Sequence, residues 1–360
     1  MRRLLLVGAG HAHLALLASL KKEPVRGLRI ALVSPLARQI YSGMLPGVIA
    51  GNYRPEEAEI DVAGLAERAH VEFVPGSVAR FDAQQRTVVL HDGNELEYDM
   101  ASFNVGSRID AGMPGTGYAT AVKPFEPFLE RMQRGTFKRI AIIGGGAGGA
   151  ELALTLHHRG AAVTLYSAQP MTPPALAARV EPALRAMGVD FRPGMAASAI
   201  EPGPVVIAGA SRQEFDLVLL ATGAAPLPWL KSSGLERGER GFVLVRETLQ
   251  SVSHPEIFAA GDCASLQGAG LPRSGVYAVR EGGILAQTFR NLAQGLAPAA
   301  YKPQRRALVL MSCGRRYAIA QWGGWTAQGP WVWRWKDRID RAWLRRLTGE
   351  KQAEKQGGKK

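Results

Sequence analysis

The sequence predicts an α/β fold built from two related halves, each a parallel sheet entered through a glycine turn, followed by a C-terminal extension. Three observations predict it. Leu4-Leu5-Leu6-Val7 is an apolar strand that runs into Gly8-Ala9-Gly10, and an Ala/Leu-rich helix follows to about Lys22. The chain then repeats the pattern: Arg139 to Ile143 is a strand, and Gly144, Gly146 and Gly149 follow at full fingerprint spacing before a helix to His158. Finally, Tyr98-Asp99 leads an apolar stretch ending at Gly106, and Phe215-Asp216 leads one ending at Gly223, at the same spacing.

A strand that ends in glycines and feeds a helix N-terminus aims unpaired N–H groups at one point, which favours a pyrophosphate. Two such turns predict two Rossmann-like dinucleotide-binding domains. The first match is imperfect, because His13 stands where a third glycine allows close helix–strand packing.

Leu28 to Val33 is the next strand, ending at Ser34-Pro35 where a dinucleotide site normally offers an acid to the ribose. Gln39 to Asn52, with Tyr41-Ser42-Gly43-Met44-Leu45-Pro46-Gly47 at its centre, reads as a loop: either room for a planar ligand or a plain surface connection. Val71 to Val74 and Thr87 to Leu90 read as strands around a turn, and Asp92-Gly93-Asn94 as a hairpin signal. Gly106 to Gly117 reads as a linker, and Lys123-Pro124 opens a short helix to Arg134. In the second half, Ala162 to Tyr166 is a strand, Ala175 to Met187 a helix, and Val205 to Ala208 and Asp216 to Ala221 strands. Ile257 to Ala260 is a buried strand ending in Gly261-Asp262, whose carboxylate either accepts from a polyol or N-caps the next segment. Ser274 to Asn291 reads as a helix. The expected domains are 1–110 and 225–300, two parts of one unit, with 118–224 inserted between them. An α/β extension at 301–347 and a disordered polar tail at 348–360 complete the chain.

Composition narrows the function. At 360 residues, with 46% hydrophobic and 21% charged, the chain holds two or three domains with a real core. Two cysteines exclude a disulfide scaffold and suggest a reducing, cytoplasmic compartment. Met1-Arg2-Arg3 and the leucines imitate a signal peptide, but Gly8, Gly10, His11 and His13 break its apolar core. No apolar run is long enough to span a bilayer. A net charge of +13 fits an anionic membrane surface or general solvation; no nucleic-acid motif accompanies it, and no cluster suggests a metal.

The two fingerprints, Ala221-Thr222-Gly223 and Gly261-Asp262, in that order, resemble the pyridine nucleotide-disulfide oxidoreductase superfamily over residues 1 to about 300. Within it the chain looks most like type II NADH dehydrogenases. It is most similar to the flavoprotein branch associated with selenide water dikinase, through Gly8 to His13, Tyr41 to Gly47, Gly275 to Arg280 and Trp331 to Asp337. The resemblance implies FAD as cofactor and NADH or NADPH as substrate. It places Gly8 and Gly10 at the FAD pyrophosphate, Ser34 near the ribose, and the Val78 backbone near adenine. Asp262 then meets the ribityl chain or the pyrophosphate, Gly275 and Val276 the pyrimidine, Gly144, Gly146 and Gly149 the nicotinamide cofactor, and Glu151 its amide. His11, Gly106, Gly223 and Gly261 complete the cofactor set. Lys123 is either a cation near the flavin N5 or a solvated lysine.

Two departures shape the expected reaction. Where many members carry a Cys-x-x-x-x-Cys pair, this chain has Tyr41 to Pro46, so no redox disulfide operates there. Tyr166-Ser167 replaces the acid that would select NAD, with no adjacent arginine to favour NADP. The acceptor must therefore reach the flavin directly, and a quinone-like molecule fits. Six of seven tryptophans lie at or beyond Trp322. Trp331, Trp333 and Trp335 alternate as on a strand, and Lys336 to Leu347 reads as a helix with Ile339, Trp343 and Leu347 on one stripe. That stripe either touches a membrane interface or packs on the flavin domain or a second subunit. The expected function is an FAD-dependent NAD(P)H:acceptor oxidoreductase, peripheral on the cytoplasmic membrane face. The competing expectations are a soluble reductase of selenium metabolism and a flavin-binding redox sensor or scaffold.

Overall fold

A computed structural model describes residues 1–348; of the tail expected to be disordered, Thr348 ends the last helix and the rest lies outside the described residues. Two five-stranded parallel sheets dominate it. In the first, the strands run in the order Ile257–Ala259, Met100–Phe103, Arg2–Val7, Leu28–Ser34 and Glu72–Pro75. In the second, the order is Thr120–Ala121, Leu217–Leu220, Arg139–Ile143, Ala162–Ser167 and Asp190–Pro193. The first sheet thus takes its edge strand from beyond the second.

The strand Arg2–Val7 reads as an unbroken apolar run because both its faces are covered. Leu4 and Leu6 pack against the helices His11–Leu20 and Gly275–Ala293, while Leu5 and Val7 pack against Phe81, Val88 and Phe103. Ile140 and Ile142 divide from Ala141 and Ile143 in the same way in the second sheet. The echo of Tyr98-Asp99 in Phe215-Asp216 has a mechanical reason. Asp99 Oδ2 accepts from the Arg3 N–H at 2.6 Å, and Asp216 Oδ2 accepts from the Lys138 and Arg139 N–H groups at 2.8 Å. Each aspartate pins the start of the central strand of its own sheet.

His13 fits where a glycine was expected because its ring is fully satisfied. Nδ1 lies 2.6 Å from the Gly8 carbonyl and Nε2 2.9 Å from Ser102 Oγ, and burial pushes the imidazole down to about 4, so it stays neutral. Close packing between the two helices comes from Gly282 on Gly275–Ala293, where a Cβ would meet the Ala12 carbonyl at 2.1 Å.

Several sequence expectations change. The segment 39–52 is not all loop: Arg38–Ile40 is a strand and Leu45–Ile49 a short helix started by Pro46. The strands read around a turn at 71–74 and 87–90 do not pair with each other: Glu72–Pro75 joins the first sheet beside Leu28–Ser34, and Thr87–Leu90 pairs with Val78–Asp82 and Glu95–Glu97. At the C-terminus three antiparallel strands, Val309–Cys313, Arg315–Trp322 and Trp325–Gly329, carry a helix at Pro330–Thr348. Trp331, Trp333 and Trp335 therefore lie on a helix, not a strand; Trp331 and Trp335 stack one turn apart. The buried stripe is also rotated from the expected one. It runs through Val332, Lys336, Asp340, Leu344 and Leu347, with Trp343 partly buried, while Ile339 faces outward at 40% exposure. The charged pair Lys336 and Asp340 hid this face from a reading that looked only for apolar residues.

Candidate functional site

The glycine turn after Arg2–Val7 opens onto a cavity of about 590 Å³. Gly8 holds φ +87°, and a Cβ there would meet the Asn104 carbonyl at 2.6 Å. A Cβ on Gly10 would meet Asn104 Oδ1 at 2.4 Å. Both positions exclude a side chain through Asn104, a residue the sequence did not single out. Asn104 Oδ1 accepts from the Ala12 and His13 N–H groups at 2.9 and 3.1 Å, and its Nδ2 donates to the Ala260 carbonyl at 2.7 Å. One buried amide therefore sets the helix N-terminus against the turn before Gly261. Its only sequence signal was a polar residue closing the apolar strand at 100–103. Asn104→Ala breaks three bonds in a buried place and is expected to cost about 2–4 kcal/mol, read as a lower urea midpoint.

The cavity is lined at one end by Ser34, Pro35, Ser77, Val78 and His91, and at the other by Tyr41, Ser42, Lys123, Phe125 and Gly275; Gly106, Gly261 and Asp262 lie on the same wall system. Gly106, at φ +69°, has no atom within 4 Å of a would-be Cβ, so it faces open space. Lys123 Nζ donates to Asp262 Oδ2 at 2.9 Å, and Ser107 Oγ to the same oxygen at 3.4 Å. Asp262 thus presents a charge-paired carboxylate and does not serve as a plain N-cap, and Lys123 is not a solvated lysine. His11 is pushed down by burial, against the attraction of Asp262, and its Nε2 lies 3.3 Å from Ser42 Oγ. A glycine cradle, a cavity of this size and a charge-paired carboxylate on its wall fit a dinucleotide that carries a polyol, as FAD does.

Two expected contacts differ. Ser34 is buried and turns its hydroxyl to the Leu36 carbonyl at 3.3 Å, closing its own turn. Val276 is 37% exposed, and its N–H goes to Ser274 Oγ, which caps the helix; Gly275 alone of the pair lines the cavity.

The second fingerprint lies apart from this cavity. A Cβ on Gly149 would meet the Gly144 carbonyl at 1.8 Å, so that glycine serves helix–strand packing. Gly146 faces open space, Gly223 has only an Arg240 guanidinium nitrogen at 3.9 Å, and Thr222 Oγ1 is buried without a partner. An open glycine beside an orphaned hydroxyl fits a second nucleotide at the C-terminal edge of this sheet. Ser167, in the place of the ribose acid, donates its hydroxyl to the Gln169 carbonyl at 2.7 Å.

Glu151, expected at the nicotinamide amide, accepts from the Ser312 N–H at 2.6 Å in the C-terminal sheet. Its helix packs directly under that sheet, which the sequence could not show. Burial pushes the carboxyl up to about 7 from 4.5, opposed by Lys336 and the Ser312 N–H. The folded protein therefore keeps a proton that the unfolded chain releases near pH 4.5. Stability tied to that proton is full below pH 4.5 and is lost as pH rises through about 7. Glu151→Gln is expected to remove roughly 2 kcal/mol of this pH dependence, measured by denaturant titration between pH 4 and 8.

Both cysteines are buried thiols. Cys263 donates to the Ala260 carbonyl at 3.2 Å, and burial pushes Cys263 and Cys313 up to about 12. Neither is primed as a thiolate, and the cavity wall between Tyr41 and Ser42 carries no sulfur.

A family model described as pyridine nucleotide-disulphide oxidoreductase matches residues 2–282. The nitric oxide reductase FlRd-NAD(+) reductase of Escherichia coli O9:H4 (strain HS) is 28% identical over 283 residues, covering 75% of this chain and 74% of its own. The structure of sulfide:quinone oxidoreductase from Aquifex aeolicus superposes with a TM-score of 0.80 at 18% identity, over 97% of this chain and 92% of its own. Water-forming NADH oxidase from Lactobacillus brevis, bound to NADH, gives 0.71 at 23% identity, over 90% and 75%. The structural likenesses show the fold.

Proposed function

The chain belongs to the pyridine nucleotide-disulphide oxidoreductase family of FAD- and NAD(P)H-dependent enzymes, and we propose that it passes electrons from NAD(P)H to a quinone-like acceptor without a redox disulfide. The observation that carries this is the wall of the cavity at Tyr41-Ser42, where a dithiol relay would stand. When bound, the flavin takes a hydride from the dihydronicotinamide and returns two electrons to a second substrate.

The chain's own residues bind and orient. Gly8 and Gly10 let backbone approach the FAD pyrophosphate, and Asp262 accepts from the ribityl hydroxyls while it holds Lys123 in place. Lys123 keeps a positive charge on the cavity wall, favouring negative charge that develops there. Gly146 and Thr222 receive the nicotinamide nucleotide at the edge of the second sheet. A planar acceptor enters along Tyr41 and Ser42, the position that sulfur leaves vacant. Stopped-flow mixing tests this: the yellow protein bleaches with NADH or NADPH and recovers its colour with a soluble benzoquinone. Failure to recover with quinones overturns the acceptor assignment.

The C-terminal helix supports a peripheral membrane position. Its inner face is committed to the fold: Tyr53 stacks on Trp333 and donates to Asp337 at 2.8 Å, and Arg341 bridges Asp337 and Glu57. The outer face presents Trp331, Ile339, Arg334, Arg338 and Arg345, and the neighbouring hairpin adds Trp322 and Trp325. Exposed tryptophans among arginines suit an anionic interface. Among the described residues, no helix is long and apolar enough to cross a membrane. Sedimentation with phosphatidylglycerol vesicles is expected to carry the protein down, and Trp331→Ala with Ile339→Ala to release it. Equal recovery in the supernatant for both would remove the membrane from the account.

A further inference from the structure

Beside the Tyr41 turn lies a buried charge cluster that the binding of either dinucleotide does not use. Lys336 Nζ donates to Asp340 Oδ2 at 2.6 Å and to the Gly43 carbonyl, with the two side chains only 10% and 7% exposed. Tyr41 donates its phenolic hydrogen to the other oxygen of Asp340 at 3.3 Å. The Tyr41 ring itself lines the cavity, 5.6 Å from the His11 ring. Glu151 reaches the same cluster electrostatically, attracted by Lys336 and repelled by Asp340.

A buried ion pair is a poor way to stabilise a helix contact, since well-packed apolar residues do at least as well. Here the pair holds the hydroxyl of a tyrosine whose ring lines the cavity, so Lys336, Asp340 and Tyr41 form one hydrogen-bonded chain that ends at the cavity wall, which is the layout of a proton path. We propose that Tyr41 is a proton donor to a carbonyl oxygen of the acceptor, refilled through Asp340 and Lys336.

The inference rests on the quinone-like acceptor proposed above. Its reduction takes two electrons, which originate in the hydride released by the dihydronicotinamide, and two protons. One carbonyl becomes C–OH as the O–H bond of Tyr41 breaks. As that bond breaks, the Lys336 ammonium protonates the Asp340 carboxylate, and Asp340 passes a proton across its hydrogen bond to the tyrosinate oxygen. Solvent returns that proton to Lys336, and the second carbonyl takes the proton that the hydride carried, so each turnover draws one proton from water. The electrostatics agree with this order. Burial and the neighbouring Asp340 raise the phenol above its usual value, so its proton leaves only when another is delivered. Burial also raises the Asp340 carboxyl, against the pull of Lys336, so it can carry a proton in transit.

The test starts from protein reduced with dithionite, which bypasses the nicotinamide. Anaerobic stopped-flow follows reoxidation by a soluble benzoquinone, which needs protons, and by ferricyanide, which needs none. Tyr41→Phe is expected to lower the quinone-to-ferricyanide rate ratio 10–100-fold and to erase the solvent isotope effect on the quinone step. An unchanged ratio overturns the role of Tyr41 alone. A wild-type protein that reoxidises with ferricyanide but not with quinone overturns the acceptor assignment, and this inference with it. Ultraviolet difference titration against Tyr41→Phe gives a readout without turnover. Asp340→Asn is expected to bring the Tyr41 phenol down toward the ordinary tyrosine range, and an unmoved phenol contradicts the relay.

Discussion

Asp262→Ala is expected to purify without yellow colour, with FAD affinity reduced at least 10²-fold. The carboxylate stands at the end of the strand Ile257–Ala259 on the cavity wall, with its side chain 18% exposed and paired to Lys123 at 2.9 Å. Removing it takes away a charge-assisted acceptor for the cofactor's hydroxyls. It also leaves the Lys123 ammonium unpaired in a cavity partly closed to water. Each effect costs on the order of 1–3 kcal/mol, and every 1.4 kcal/mol is tenfold in affinity. The fold itself does not depend on Asp262, because Asn104 and the Glu281 carboxylate, which accepts from the Gly261 N–H at 2.6 Å, hold the turn. Far-ultraviolet circular dichroism of the variant should match the wild type. A variant that stays fully flavinated would show that this carboxylate does not touch the cofactor.

Gly146→Val is expected to leave the protein yellow and folded while slowing its bleaching by NADH and NADPH more than 10²-fold. Gly146 has no protein atom within 4 Å of a would-be Cβ and lies in extended backbone at φ −68°. The Cβ of a valine there meets no atom of the fold, and the side chain projects into the space assigned to the nicotinamide nucleotide. Gly149→Val would be a poor substitute, since its Cβ meets the Gly144 carbonyl and the loss would report misfolding. If Gly146→Val bleaches at the wild-type rate, the nucleotide does not use this turn.

The parallel halves were legible because the signals are local. Apolar strands ending in glycine, and the Asp99 and Asp216 pins, repeat at matching spacing along the chain. The cavity residues Gly8, Gly10, Gly106, Gly261 and Asp262 were also legible, because they follow strand ends, and Gly275, at a helix start, through the family resemblance. The features that escaped depend on contacts between distant segments. Asn104 acts through Ala12 and Ala260, and Glu151 through Ser312, 161 residues away. The inner face of the last helix was misplaced for the same reason. Lys336 and Asp340 look like solvent-facing charges until Gly43 and Tyr41 arrive from nearly 300 residues earlier to satisfy them. Hydrophobic periodicity has no means of recognising a buried ion pair.

The measurement closest to the centre of this account is an anaerobic titration of the purified protein with NADH or NADPH, following the absorbance of the oxidised flavin. With a bound FAD and no dithiol in reach of it, bleaching should be complete at one equivalent of reduced nicotinamide per flavin. A protein with no flavin bands, or one that consumes a second equivalent before it bleaches fully, would contradict the account.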